Sequence, residues 1–118
     1  MYEWNKNQPI FLQIRQKIVE MILNENVKSG EALPSVRQLA TELSVNPLTV
    51  TKAYQSLVDM QIIEKKRGLG MFVMENSQKE LLSVEREKFL SDEWPQILKR
   101  LESLGIKLKE LIKKEAGA

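Results

Sequence analysis

The sequence predicts a mainly α-helical fold carrying one small β-hairpin. Three observations predict it. Apolar residues recur at helical spacing in three blocks before residue 60, two short β-prone runs flank Arg67-Gly68-Leu69-Gly70, and the helical pattern resumes from 77 to 118.

The first block places Ile10, Ile14, Ile18, Met21 and Ile22 on one stripe behind Pro9 and predicts a helix from about Pro9 to Asn24, broken by Lys28, Ser29 and Gly30. In "PSVRQLATEL", Ser35 and Gln38 have the spacing of a capping box, and Val36, Leu39, Ala40 and Leu43 form the buried stripe. Only Ser44 and Val45 then separate this short helix from Asn46. Asn46 is a good N-cap, and Pro47 suits the first helical position, where no backbone N–H bond is needed. Val50, Ala53, Tyr54 and Leu57 make the inner stripe of this third helix, leaving Leu48, Thr49, Thr51, Lys52, Gln55 and Ser56 outside. Two helices joined by so tight a turn must diverge steeply, which predicts a helix-turn-helix.

From Ile62 to Met74 the runs "IIEKK" and "MFVM" predict a hairpin, with glycines in the connection and Lys65, Lys66 and Arg67 near its tip. The order of elements is that of a winged helix-turn-helix over 1–76, followed by a helical tail over 77–118. In the tail, Ser77 and Glu80 predict a capping box, and at Trp94-Pro95 the helix must either kink, the reading favoured here, or give way to a new one, because proline cannot donate to the preceding turn. Leu81, Leu82, Phe89 and Leu90 supply apolar positions before it. Trp94, Ile97, Leu98, Leu101, Leu104 and Leu108 continue the stripe, Gly105 predicts a stop, and "KLKELIKKE" a short last helix.

Composition narrows the function classes. A 42% hydrophobic content is enough for a core in 118 residues. With no Cys and no His, the chain lacks disulfides, thiolate or imidazole metal ligands, and the commonest general base, so neither a metal site, a cofactor nor an enzyme is expected. No apolar run is long enough to span a membrane and no secretory leader is evident, which predicts a cytoplasmic protein. A net charge of +2 is too small to argue for a nucleic-acid partner unless the cations are clustered.

Their placement argues for double-stranded DNA. The second helix of a helix-turn-helix enters the major groove by its N-terminal end, where this chain carries Asn46, Pro47, Leu48, Thr49, Thr51 and Lys52. Thr and Asn can bond base edges or phosphates, and the methyls of Leu48 and Thr can lie against thymine. Two β-branched residues on an exposed helix face lower helix propensity for no structural return. Arg37 can place its guanidinium on a phosphate beside a helix N-terminus. Lys66, Arg67 and Gly68 at the wing tip suit phosphates or the minor groove, although strand lysines also serve to protect an edge from pairing. A rival reading is a protein-interaction module in which Leu48, Leu69 and the tail engage a partner protein; the mixed polar residues after Asn46 favour DNA.

"GEALPSVRQLATELSVNPLTVTKAYQSL" followed by "RGLGMFV" resembles the GntR family of bacterial transcription regulators. The resemblance covers most of residues 9–76. It implies DNA contact by Arg37, by Asn46, Thr49 and Thr51, and by Arg67 and Gly68. The short tail is similar to the YtrA-like subfamily, which implies dimerisation by about two helices and repression of an operon, often one with ABC transporter genes. The chain departs from the family at Val58, where Glu is usual, at Gln61, where Gly is usual, at Ser29, often Pro, and at Lys107, commonly Ser or Thr.

The tail cannot bury its own apolar stripe, since a pair of helices lacks a sufficient core. Leu82, Phe89, Trp94, Leu98, Leu101 and Leu108 are therefore expected to form a homodimer interface, matching a palindromic operator read by two half-site helices. No separate pocket-forming domain is predicted, so an effector would have to use the dimer interface or the cleft beside the tail.

Overall fold

The computed structural model describes residues 4–116, with side chains through Lys113. Six α-helices and one hairpin follow in the order α1 (Ile10–Leu23), α2 (Val36–Leu43), α3 (Pro47–Asp59), β1 (Ile63–Lys66), β2 (Gly70–Val73), α4 (Ser77–Lys88), α5 (Trp94–Ser103) and α6 (Leu108–Ala116), with a π-turn at Phe89–Glu93 between α4 and α5. The chain forms two compact units, Met1–Leu82 and Ser83–Ala118, and the boundary falls inside α4, past the sequence-read division at 76.

Local chemistry sets the starts of the helices. The capping box before α2 forms as predicted: the Gln38 backbone N–H donates to Ser35 Oγ at 3.1 Å, and the Ser35 N–H to Gln38 Oε1 at 2.9 Å. Asn46 Oδ1 accepts the Leu48 N–H at 2.8 Å, and Pro47 takes the first helical position. On α1 the Gln13 side chain ties down the approach to the helix, its amide donating to the Asn5 and Gln8 carbonyls while its oxygen accepts the Asn5 N–H.

The helix ends share one device. After α3, Gln61 turns left-handed (φ 61°), its N–H bonds to the Val58 carbonyl, and the Ile62 N–H reaches back to Leu57. This paired pattern satisfies carbonyls that the helix would leave without partners. Glu25 and Ser44 (φ 58° and 56°) close α1 and α2 in the same way, as Gly105 (φ 68°) closes α5. Gln61 thus adopts the backbone that the glycine usual in the family would take without strain.

The hairpin pairs Ile63 with Val73 and Lys66 with Gly70 in antiparallel register. A third segment, missed in the sequence, runs along β2: the Gly30 N–H donates to the Val73 carbonyl, the Val73 N–H to Glu31, and the Leu33 N–H to Met71, with Ala32 opposite Phe72. The linker between α1 and α2 therefore covers the outer edge of the wing. Such an edge would otherwise offer unpaired backbone groups to other chains.

Under these elements lies one apolar core. Ile14, Ile18 and Ile22 of α1 meet Val50, Ala53, Tyr54 and Leu57 of α3, with Leu39 and Leu43 of α2 and Ile63 and Val73 of the hairpin closing it. The Tyr54 hydroxyl finds its partner in the Pro34 carbonyl. Burial first, and Glu42 second, push its pKa from the ordinary 10.0 up to about 12.

One expectation for the tail changes. Ser77 does not cap α4; it is the first helical residue, and its buried hydroxyl donates to the Ile62 carbonyl at 2.7 Å, while the Asn76 carbonyl accepts the Glu80 N–H. A buried hydroxyl needs a partner, and the Ile62 carbonyl supplies one. At Pro95 the chain stays helical. The Trp94 N–H bonds to the Phe89 carbonyl five residues back, and this wider turn accommodates a proline that has no N–H and would press on the carbonyl four residues earlier in α geometry. Phe89 and Trp94 stand across that turn with ring centroids 6.2 Å apart. At α6, Lys107 has no side-chain acceptor and contributes its carbonyl to the Glu110 and Leu111 N–H groups.

Candidate nucleic-acid interface

The start of α3 divides cleanly between inside and outside. Val50, Ala53, Tyr54 and Leu57 have no exposed surface, whereas Asn46, Pro47, Leu48, Thr51 and Lys52 are exposed and Thr49 is half-buried. Leu48 keeps 76% of its surface in solvent. The outward tip is thus an apolar leucine set among hydroxyl and amide groups, as the sequence predicts.

Hydrogen bonds within the helix decide which polar atoms remain to meet a ligand. Asn46 spends its side-chain oxygen on the cap, which leaves its amide N–H2 as the donor. Thr51 Oγ1 donates to the Pro47 carbonyl at 3.1 Å, which leaves its oxygen as an acceptor. Arg37 lies exposed in the first turn of α2.

Two of the predicted cations are turned onto aromatic rings. Lys52 Nζ sits 4.2 Å from the centroid of Phe11 on α1. Lys66 Nζ sits 4.6 Å from Phe72 on β2 and 3.9 Å from Glu64. These cation–π contacts lay each lysine stem against the neighbouring element, α1 for Lys52 and β2 for Lys66. Arg67 and Gly68 are exposed at the wing tip, where the Leu69 N–H donates to the Lys66 carbonyl and closes the turn.

Sequence reasoning missed two α1 side chains beside the reading helix. Arg15 Nη1 donates to Ser56 Oγ at 2.8 Å, and Phe11 lies under Lys52. Positions 11 and 15 on α1 thus meet 52 and 56 on α3, two rungs at i, i+4 on both helices. The matched spacing was present in the chain, but only the packing of α1 on α3 pairs the rungs.

Of the residues assigned to the tail interface, Leu82, Phe89 and Leu98 are exposed, and Trp94, Leu101 and Leu108 are half-buried. A groove of about 670 Å³ opens within the first unit, lined by Trp4, Lys17, Met21, Leu39 and Glu42 among others. Among the described residues, no helix is long and apolar enough to cross a membrane.

Comparison with known proteins bears on the family and the fold. The family model of bacterial regulatory proteins, gntR family, matches residues 11–73, which span the three helices and the wing. The HTH-type transcriptional repressor YtrA of Bacillus subtilis is 37% identical over 87% of this chain and 78% of its own length. A GntR family transcriptional regulator from Listeria monocytogenes superposes with a TM-score of 0.75 at 28% identity, covering 98% of this chain and 99% of that one. YtrA from Sulfolobus acidocaldarius, a GntR-family transcription factor, superposes with a TM-score of 0.56 at 29% identity, covering 98% and 92%. The chain therefore belongs to the gntR family of bacterial regulatory proteins, on its YtrA-like branch, and is a DNA-binding transcription regulator.

Proposed function

We propose that the protein is a cytoplasmic repressor that binds a palindromic operator as a homodimer and acts by occupying promoter DNA. Residues 1–76 read the operator and 77–118 join the two copies. The observation that carries this reading is the outward tip of α3, nearly free of charge and exposed at Asn46, Leu48 and Thr51, above an inner stripe with no exposed surface. An ordinary solvated face would carry several Glu and Lys in that position.

In this reading Asn46, Pro47, Leu48, Thr49 and Thr51 meet base edges and thymine methyls in the major groove, while Arg37 and Lys52 reach phosphates. Engaging DNA requires Lys52 to leave Phe11, a contact worth about 0.5–1 kcal/mol at an exposed site and readily exchanged for a phosphate. Lys66, Arg67 and Gly68 lie along the flanking backbone. Leu82, Phe89, Trp94, Leu98, Leu101 and Leu108 cover one another across a two-fold axis, which suits apolar side chains left uncovered on α4 and α5.

Fluorescence anisotropy of the purified protein against its own promoter region, repeated over a range of salt, tests the reading. Expected is specific binding whose affinity falls steeply with salt. Thr49→Ala or Asn46→Ala should cost about 1–3 kcal/mol and relax sequence preference, whereas Arg67→Ala should weaken all sequences alike. Binding that ignores both sequence and salt would sink the proposal.

A further inference from the structure

The tip of the wing carries an apolar side chain with nothing of its own to cover it. Leu69 keeps 71% of its surface exposed at the far end of the hairpin, two residues after the exposed Arg67 and between two glycines. Gly68 and Gly70 hold φ values of +78° and +109°, and a Cβ added at either would meet nothing within 4 Å. Crowding therefore does not require these glycines; the left-handed backbone does, and it leaves the turn slim on both sides of the leucine. A single exposed leucine is unremarkable by itself. Here it stands at the end of a narrow, backbone-thin hairpin turn that also carries an arginine, the form that enters a minor groove about 6 Å wide.

What a leucine does there follows from the groove's chemistry. Both A·T orientations present only acceptors and a smooth floor, whereas every G·C pair raises the guanine N2 amino group. Leucine has no acceptor for that donor. Packed over a G·C pair, it would strip water from the amino group and return no hydrogen bond. Over A·T it meets a floor without that donor.

We infer that Leu69 is a specificity-determining residue of the wing: an apolar filter in the minor groove that selects A·T pairs where the hairpin tip rests. This rests on the reading of the protein as an operator-binding regulator and adds a second zone of sequence selection, separate from the α3 tip. Arg67 supplies affinity there and Leu69 supplies discrimination.

The test uses the full-length protein and an operator selected from randomised duplexes, rebuilt with A·T, G·C or inosine·C pairs at the wing-facing steps. Inosine keeps the major-groove face of guanine and lacks the N2 amino group, so it separates the two grooves. Expected for the unaltered protein is equal affinity for the A·T and inosine·C duplexes, and affinity roughly tenfold lower for G·C, the size of one donor left unbonded. Leu69→Ala and Leu69→Ser should each reduce the G·C penalty to about twofold or less, while Arg67→Ala lowers all three affinities by a common factor and preserves their ratio. Equal affinity of the unaltered protein for all three duplexes, an inosine·C duplex as weak as G·C, or a penalty that survives in both Leu69 variants overturns the inference and leaves the operator reading standing. Failure of the unaltered protein to select any sequence overturns both.

Discussion

The two compact units both carry amphipathic helices, yet they complete themselves differently. Within Met1–Leu82, three helices and a hairpin bury Ile14, Ile18, Ile22, Val50, Tyr54, Leu57, Ile63 and Val73 almost fully. In the described part of Ser83–Ala118 no side chain is fully buried, and Phe89, Ile97, Leu98, Leu104 and Ile112 each keep 40% or more of their surface exposed. Periodicity alone does not separate these cases, since both units carry clear amphipathic stripes. A stripe becomes a core only when other elements approach from several directions. Two or three short helices in sequence cannot supply those directions.

The difference can be broken most directly in the tail. Leu98→Asp should lower operator affinity on the order of a hundredfold or more, the loss expected when two linked reading heads become one. Its main thermal transition should stay in place, because Leu98 belongs to no internal core. Light scattering that still reports an unchanged dimer for this variant would remove the tail from the interface. Next in size, Leu57→Ala in the first unit should cost about 2–5 kcal/mol in chemical denaturation, since Leu57 is fully buried under α1 and the hairpin. The same truncation at Leu98 should cost far less in a monomeric background.

Tyr54 sharpens the contrast on a smaller scale. Tyr54→Phe leaves the Pro34 carbonyl without its donor and should destabilise the first unit by about 1–2 kcal/mol. It also predicts a pH signature. The folded-state pKa is raised above the unfolded value, so the tyrosine's contribution is complete below pH 10.0 and is lost as pH rises through about 12. Denaturation midpoints followed across that window should fall less in Tyr54→Phe than in the parent. The smallest expected effect is a gain: Gln61→Gly relieves the left-handed backbone after α3 and should add about 0.5–1 kcal/mol. A loss there would mean that the Gln61 side chain makes a contact worth more than the strain.

Much of the reading unit was legible because its signals are local. Ser35 with Gln38, Asn46 with Pro47, and glycines between two β-prone runs each act within a few residues, so their meaning survives without knowledge of the fold. The exposed tip of α3 was legible for a related reason, since the inner stripe fixes the phase of the whole helix. The misassigned cap at Ser77 shows the limit: its hydroxyl had a better partner fifteen residues away in sequence, the Ile62 carbonyl. Lys52 and Lys66 looked free by spacing, and the structure turns them onto Phe11 and Phe72.

By itself, then, the amino-acid order determined where helices begin and end, which face of each turns inward, and that a glycine-bounded tip would carry charge. These follow from capping, periodicity and backbone sterics over a turn or two. Only the tertiary structure decided that Gly30–Leu33 would shield the wing, that Arg15 would brace Ser56, and that Pro95 would be carried through a π-turn. The first two are contacts between distant segments, which exist only after packing has brought them together. The third is a choice among helix geometries whose local energies lie too close for sequence to choose between them.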